Sequence, residues 1–222
     1  MTTPPIRRSD ITGLILAGGR GQRMGGRDKG LQPFAGRPLV EHAVARLRPQ
    51  VGALLISANR NRDAYAAALG SDGADGADGA DSVISDEIQD FAGPLAGMLA
   101  GLRAACADYV LTVPCDAPYL PDDLAERLCA ALNALPEADP DAPDSAHPLA
   151  AYAATAQGPH PVFALVHRLL ADDLAATLAA GERRVRAWLA RHKAVQVHFG
   201  DERPFYNVNT LDDLLTDSPR AP

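Results

Sequence analysis

Short apolar runs alternate with helical segments along this chain, and that alternation constrains what it can fold into. "GLILA" (13–17) is an apolar run with a glycine cluster behind it, the pattern of a strand buried on both faces. "PLVEHAVARL" (38–47) follows, with apolar residues at 39, 40, 43, 44 and 47 on one helical face and Pro38 suited to a first turn. "ALLISA" (53–58), "SVISD" (82–86) and "YVLTVPCD" (109–116) read as further strands, and "PLAGMLAGLRAA" (94–105) and "PDDLAERLCAAL" (121–132) as helices. Units of this kind imply a doubly wound, mostly parallel α/β sheet with right-handed crossovers. Beyond them, "LAAYAA" (149–154) and "PVFALV" (161–166) are strands close together, which predicts a small antiparallel addition. "LLADDLAATLAAG" (169–181) and "RRVRAWLARH" (183–192) read as helices, "AVQVHF" (194–199) as a last strand, and "TLDDLL" (210–215) as a helical turn capped by Thr210.

The 222 residues suit one domain, taken as 11–216, with flexible tails at 1–10 and 217–222. Two stretches break the pattern. "DGADGADGAD" (72–81) repeats like charges without bulky apolar residues, so it cannot offset its ordering entropy. Its period of three also fails the every-second-residue ligand pattern of a calcium loop, and 71–82 is expected to be a disordered insertion. A second polar, proline-rich loop covers 136–148. The net charge of −7 argues against a general nucleic-acid binder. Three cysteines with no C-x-x-C suit a reducing cytoplasm and no zinc site. No apolar stretch reaches the ~18–20 residues of a membrane span.

The loop "LILAGGRGQRMGGRDKG" (14–30) poses the functional question. It is not a dinucleotide fingerprint, because Met24 stands where the third glycine belongs. Nor is it a P-loop: Gly21 and Gly26 have the spacing, but Arg27 and Asp28 follow. Arg20, Arg23, Arg27 and Lys29 nevertheless face a single acid, Asp28, at the end of a first strand. Glycines there let backbone N–H groups turn toward an anion. A merely solvated loop is the competing reading, and strand position together with clustered cations favours the anion. Asp116 leaves the sheet at the same edge, where a carboxylate either caps a turn or holds Mg²⁺ beside phosphate oxygens. Asp86, after "VIS", invites the same comparison more weakly.

Read together, "LILAGG-x-G-x-RMGG-x-DKG", "SANR", "GPLAGM", "VPCDAPYL", "HPVFALV", "GERRV" and "NVNTLDDL" resemble, in order, the molybdenum cofactor guanylyltransferase family. The resemblance covers about 11–215 apart from the two insertions; its opening motif alone is shared with sugar-nucleotide pyrophosphorylases. It implies a Rossmann-like nucleotidyltransferase fold and transfer of GMP from GTP to the phosphate of molybdenum-bearing molybdopterin, with Mg²⁺. It also implies that Leu16, Ala17 and Gly18 line the guanine and ribose, that Gly19 belongs to the GTP site, that Lys29 and Arg23 act on phosphate, that Asp86 contacts the guanine nucleotide, and that Asp116 holds Mg²⁺. Ser57 stands where the family often has Asn and is carried over as a nucleotide contact. Asn207 and Asn209 fall in a motif placed near the active site, with turn chemistry as the alternative. His160, Arg183 and Arg184 are candidates for the pterin, against a tight turn and a solvated face. The partners implied are GTP, molybdopterin, other cofactor-biosynthesis proteins and recipient molybdoenzymes; the expected form is a cytoplasmic monomer. Molybdopterin cytidylyltransferase and a non-catalytic GTP-binding module are the competing functions.

Overall fold

The computed structural model describes residues 5–18, 28–70, 81–86, 93–135 and 148–208, and in it the first apolar run is β1 (Ile11–Leu16). Its alternate side chains enter different cores, Ile11 and Ile15 on one side and Leu14 on the other. A strand covered on both faces has no polar side to show, which is why it reads as continuous apolar sequence. A two-residue hairpin, β2 (Pro33–Phe34) and β3 (Arg37–Pro38), follows. Its turn residues Ala35 and Gly36 both have positive φ, 45° and 80°, as tight hairpins require. Helix α1 (Leu39–Leu47) buries Leu39, Val40, Ala43, Val44 and Leu47, the face its sequence period marked. Covering each large side chain of that face contributes about 1.5–3 kcal/mol.

The remaining elements are β4 (Ala53–Ser57), α2 (Arg62–Ala68), β5 (Ser82–Ile84), α3 (Pro94–Ala104), β6 (Tyr109–Pro114) and α4 (Leu124–Asn133), then β7 (Ala150–Thr155), β8 (Gly158–His167), α5 (Ala171–Ala179), α6 (Val185–Arg191) and β9 (Val195–His198). Seven strands form one sheet in the order β5-β4-β1-β6-β8-β7-β9. Only β8 runs against the others: it is antiparallel to β6 and β7, while β9 is parallel to β7. The sheet is therefore mostly parallel, with the expected antiparallel addition supplied by one reversed strand. Helices α1, α2 and α4 cover one face, and α3, α5 and α6 the other.

Register decides where the loops emerge. Leu16 pairs with both Ser57 and Pro114, and Ser57 pairs with Ile84, so four parallel strands end in one row. The residues that follow these ends, Gly18, Asn59, Asp86 and Asp116, leave the sheet along the same edge.

Two boundaries differ from the sequence reading. The N-terminal tail is packed from Ile6 onward: Ile6 lies on the core, and Arg8 Nε donates to the Val51 carbonyl at 2.7 Å. Of the insertion expected over 71–82, residues 71–80 lie outside the described residues, whereas 81 and 82 are built into the fold: Asp81 Oδ1 accepts the Leu54 N–H at 2.7 Å, Asp81 pairs with Arg48, and Ser82 opens β5. Strand β6 stops at Pro114, as expected where Asp116 leaves the sheet, and Cys115 and Asp116 lie in a turn. The helical turn expected at 210–215, most of the 136–148 loop and the C-terminal tail lie outside the described residues. Among the described residues no helix is long and apolar enough to cross a membrane.

Candidate active site

Backbone hydrogen bonds stitch the row of strand ends together before any side chain enters. The Ala17 N–H donates to the Ser57 carbonyl at 2.9 Å, Cys115 N–H to Leu16 at 3.1 Å, and Ala58 N–H to Ile84 at 2.9 Å. Gly18 continues from β1 beside Asp86: a Cβ added to Gly18 would lie 3.8 Å from Asp86 Oδ2. Asp86 is anchored in turn by its N–H, which donates to Asn59 Oδ1 at 3.0 Å. Asn59 thus ties the end of β4 to the end of β5.

Lys29 pairs with Asp116 Oδ2 at this edge. The two side chains are 24% and 13% exposed, so the pair is mostly buried but still reaches the surface. Asp116 Oδ1 is buried and makes no hydrogen bond among the described residues. A buried carboxylate oxygen without a donor is costly, and such groups mark places where a ligand or ion completes the set. The Asp116 carbonyl accepts the Val208 N–H at 2.9 Å, which brings Val208, and Asn207 before it, to the metal candidate.

Other sequence candidates distribute differently. Ser57 is 1% exposed and sits under α3, where a Cβ added to Gly97 would stand 3.0 Å from its Oγ. Its carbonyl, more than its hydroxyl, faces the edge. His160 stacks on Phe205 with centroids 4.7 Å apart, meets Thr155 Oγ1 at 3.0 Å and Glu202 Oε1 at 3.3 Å. Burial holds its imidazole below the usual range, against the opposing pull of the Glu202 carboxylate. The ring therefore braces the segment that carries Asn207. Arg183 caps α5 by donating to the Leu178 and Glu182 carbonyls at 2.7 and 2.9 Å. Arg184 forks onto Glu182 at 2.9 and 2.8 Å, and its donors pull that carboxyl down to about 2. The structure records no contact between either arginine and the Lys29–Asp116 pair. Gly19, Arg23 and Asn209 lie outside the described residues.

Sequence reasoning misses a buried group around Asp28. In the sequence Asp28 reads as the single acid among cations, but its carboxylate meets Tyr65, Asn61 and Arg60. Tyr65 is a lone aromatic in "NRDAYAAALG", a stretch with no apolar period, so helix α2 and its buried phenol gave little signal.

Comparison with known proteins identifies the family of the chain. Residues 13–196 match the MobA-like NTP transferase domain. The chain is 54% identical over 204 residues to a molybdenum cofactor guanylyltransferase of Burkholderia ambifaria (strain MC40-6), spanning 92% of this chain and 93% of that protein. It is 46% identical over 215 residues to the molybdenum cofactor guanylyltransferase of Cupriavidus necator, spanning 97% and 100%. Among solved structures it resembles molybdopterin-guanine dinucleotide biosynthesis protein A from Archaeoglobus fulgidus, with a TM-score of 0.64 and 21% identity over 92% of this chain and 95% of that one, a likeness of fold. The chain therefore belongs to the MobA-like NTP transferase family of nucleotidyltransferases, and within it groups with the molybdenum cofactor guanylyltransferases.

Proposed function

We propose that this chain transfers GMP from GTP to the phosphate of molybdenum-loaded molybdopterin, forming the guanine dinucleotide cofactor and pyrophosphate. The observation that carries the reading is the Lys29–Asp116 pair, with its orphaned carboxylate oxygen, on a level row of parallel strand ends. Open α/β sheets bind nucleotides at that edge. The names of the relatives support guanylyl transfer in particular.

In the reaction a phosphate oxygen of the pterin attacks the α-phosphorus of GTP. The bond to the β-phosphate oxygen breaks, and pyrophosphate leaves with the electron pair. No side-chain base is required, since the attacking phosphate is already ionised at neutral pH. The protein positions and neutralises. Lys29, together with Arg23 of the glycine loop, stabilises charge on the departing pyrophosphate. The ends of β1 at Leu16, Ala17 and Gly18 receive the base and ribose, and the Asp86 carboxylate accepts from the guanine N1–H and 2-amino group. The "NVN" segment and His160 belong to the wall on the β8 side.

A divalent ion fits the donor set. Among the described residues there is no cluster of three or more metal-ligating side chains. Mg²⁺ asks for less, one or two carboxylates with phosphate oxygens and waters, and Asp116 offers a buried oxygen with no donor. Asp116 would hold the ion, which when bound neutralises phosphate charge.

The test is incubation of the purified chain with GTP, Mg²⁺ and molybdenum-loaded molybdopterin, with chromatographic and mass analysis of the pterin. Dinucleotide and pyrophosphate that depend on the metal are expected. Product from CTP in preference to GTP would replace guanylyl by cytidylyl transfer. GTP binding without any product would favour a nucleotide-binding module.

A further inference from the structure

Asp28 sits beside Lys29 at the end of a stretch rich in cations, yet its carboxylate is only 9% exposed. Oδ1 accepts the Tyr65 hydroxyl at 2.6 Å; Oδ2 accepts Asn61 Nδ2 at 2.9 Å and lies 3.4 Å from Arg60 Nε. The backbone is held as well, since the Asp28 carbonyl accepts Gln32 Nε2 at 2.9 Å. The next three residues, Lys29–Leu31, form one 3-10 turn, in which the Gln32 N–H reaches the Lys29 carbonyl at 3.1 Å.

Packing leaves this turn no slack. Tyr65 is fully buried. A Cβ added to Gly30 would stand 2.6 Å from Tyr65 Oη, 3.1 Å from its Cε1 and 3.2 Å from Cys115 Sγ. The chain therefore passes the phenol where only glycine fits. Burial first, then the neighbouring Cys115 and Asp28, push the Tyr65 hydroxyl far above its ordinary range, so it keeps its proton and donates at any working pH. Asn61 presents its amide from a left-handed turn, φ 53°, which asparagine tolerates better than most residues.

We infer that Asp28, gripped by Tyr65 and Asn61, is the positioning residue that sets where the Lys29 ammonium stands against Asp116. Asp28 reaches no reacting atom; it acts through the backbone that roots Lys29. A lysine side chain is long and flexible, and fixing its root narrows the volume its charge explores. Displacement of a charged group by about 1 Å can cost about 100-fold in rate. The catalytic consequence rests on the proposed transfer reaction, whereas the clamp itself does not.

The chain has two lysines, Lys29 and Lys193, which makes the clamp measurable without turnover. The whole protein is treated with an N-hydroxysuccinimide ester, and acylation at each lysine is read by peptide mass spectrometry. The ratio of Lys29 to Lys193 labelling is expected to rise several-fold in Asp28→Ala and Tyr65→Phe, and less in Asp28→Asn, which keeps an oxygen for the phenol. With GTP as substrate, kcat in Asp28→Ala is expected to fall about tenfold or more with KM within about threefold, because an interaction made mainly in the transition state is lost. In a Lys29→Ala background that loss should vanish. An unchanged labelling ratio in Tyr65→Phe and Asp28→Asn proteins shown by circular dichroism to be folded overturns the inference. So does an Asp28→Ala rate loss just as large without Lys29. A wild-type protein that forms no dinucleotide defeats the proposed function, and the labelling ratio still decides the clamp.

Discussion

Asparagine at position 116 keeps the shape of the side chain and removes its charge, and its two effects are separable. For stability, the terms oppose one another. Asp116 Oδ2 accepts the Lys29 ammonium, which an amide oxygen still accepts, though more weakly. Among the described residues Asp116 Oδ1 is buried without a donor, a cost of about 1–3 kcal/mol that is greater for a carboxylate than for an amide. The unfolding free energy is therefore expected to change by about 1 kcal/mol or less, a Tm shift of about 2–4 °C in a chain of this size. For turnover there is no such cancellation. Loss of one preorganised electrostatic group costs about 2.7–4 kcal/mol of barrier. At about 1.36 kcal/mol per tenfold, that is a fall of about 100- to 1000-fold in kcat. The assay is dinucleotide formation at saturating GTP over a Mg²⁺ titration, with a thermal melt of the same preparation. A folded Asp116→Asn protein that turns over within a few-fold of wild type at ordinary Mg²⁺ would refute the role of this carboxylate.

Gly18→Ala adds a methyl 3.8 Å from Asp86 Oδ2, an ordinary contact, so the melt should hold while the ratio of kcat/KM for GTP over CTP falls; an unchanged ratio would move the base elsewhere. Deleting 72–80 should alter denaturant unfolding by less than about 1 kcal/mol, because the repeat is poor in apolar residues. Extending the cut to Asp81 should cost about 1–3 kcal/mol more, since it strips the acceptor from the Leu54 N–H and the partner from Arg48. Equal effects of the two deletions would contradict that anchoring. Burial depresses the imidazoles of His160 and His167, so the unfolded chain takes up their protons first and stability should decline as pH falls below about 6.5. Urea unfolding between pH 7.5 and 5 should show a shallower decline in His160→Gln, and an identical slope would exclude His160 as a source.

What was legible in the sequence is what depends on neighbours along the chain. Strands β1, β4 and β6 show as apolar runs because both faces are covered, and α1 shows through its period at 39, 40, 43, 44 and 47. The alternation of these elements implies a parallel sheet, and a parallel sheet brings loop ends to one edge, so Lys29, Asp86 and Asp116 were nameable as candidates before any coordinate. Distance along the chain hid the rest. Asp28 and Tyr65 are 37 residues apart, and nothing local in "RDKG" says that its acid turns inward to a phenol. Asp81 looks like one more acid of a repeat until register sets it against the N–H of Leu54. His160 reads as a turn residue beside two prolines, but the fold presses it on Phe205, 45 positions further on. Periodicity records which side of an element is covered. Which polar group meets which across the interior is set by register and helix packing, so only the tertiary structure decided that Asp28 faces inward while Lys29 reaches Asp116.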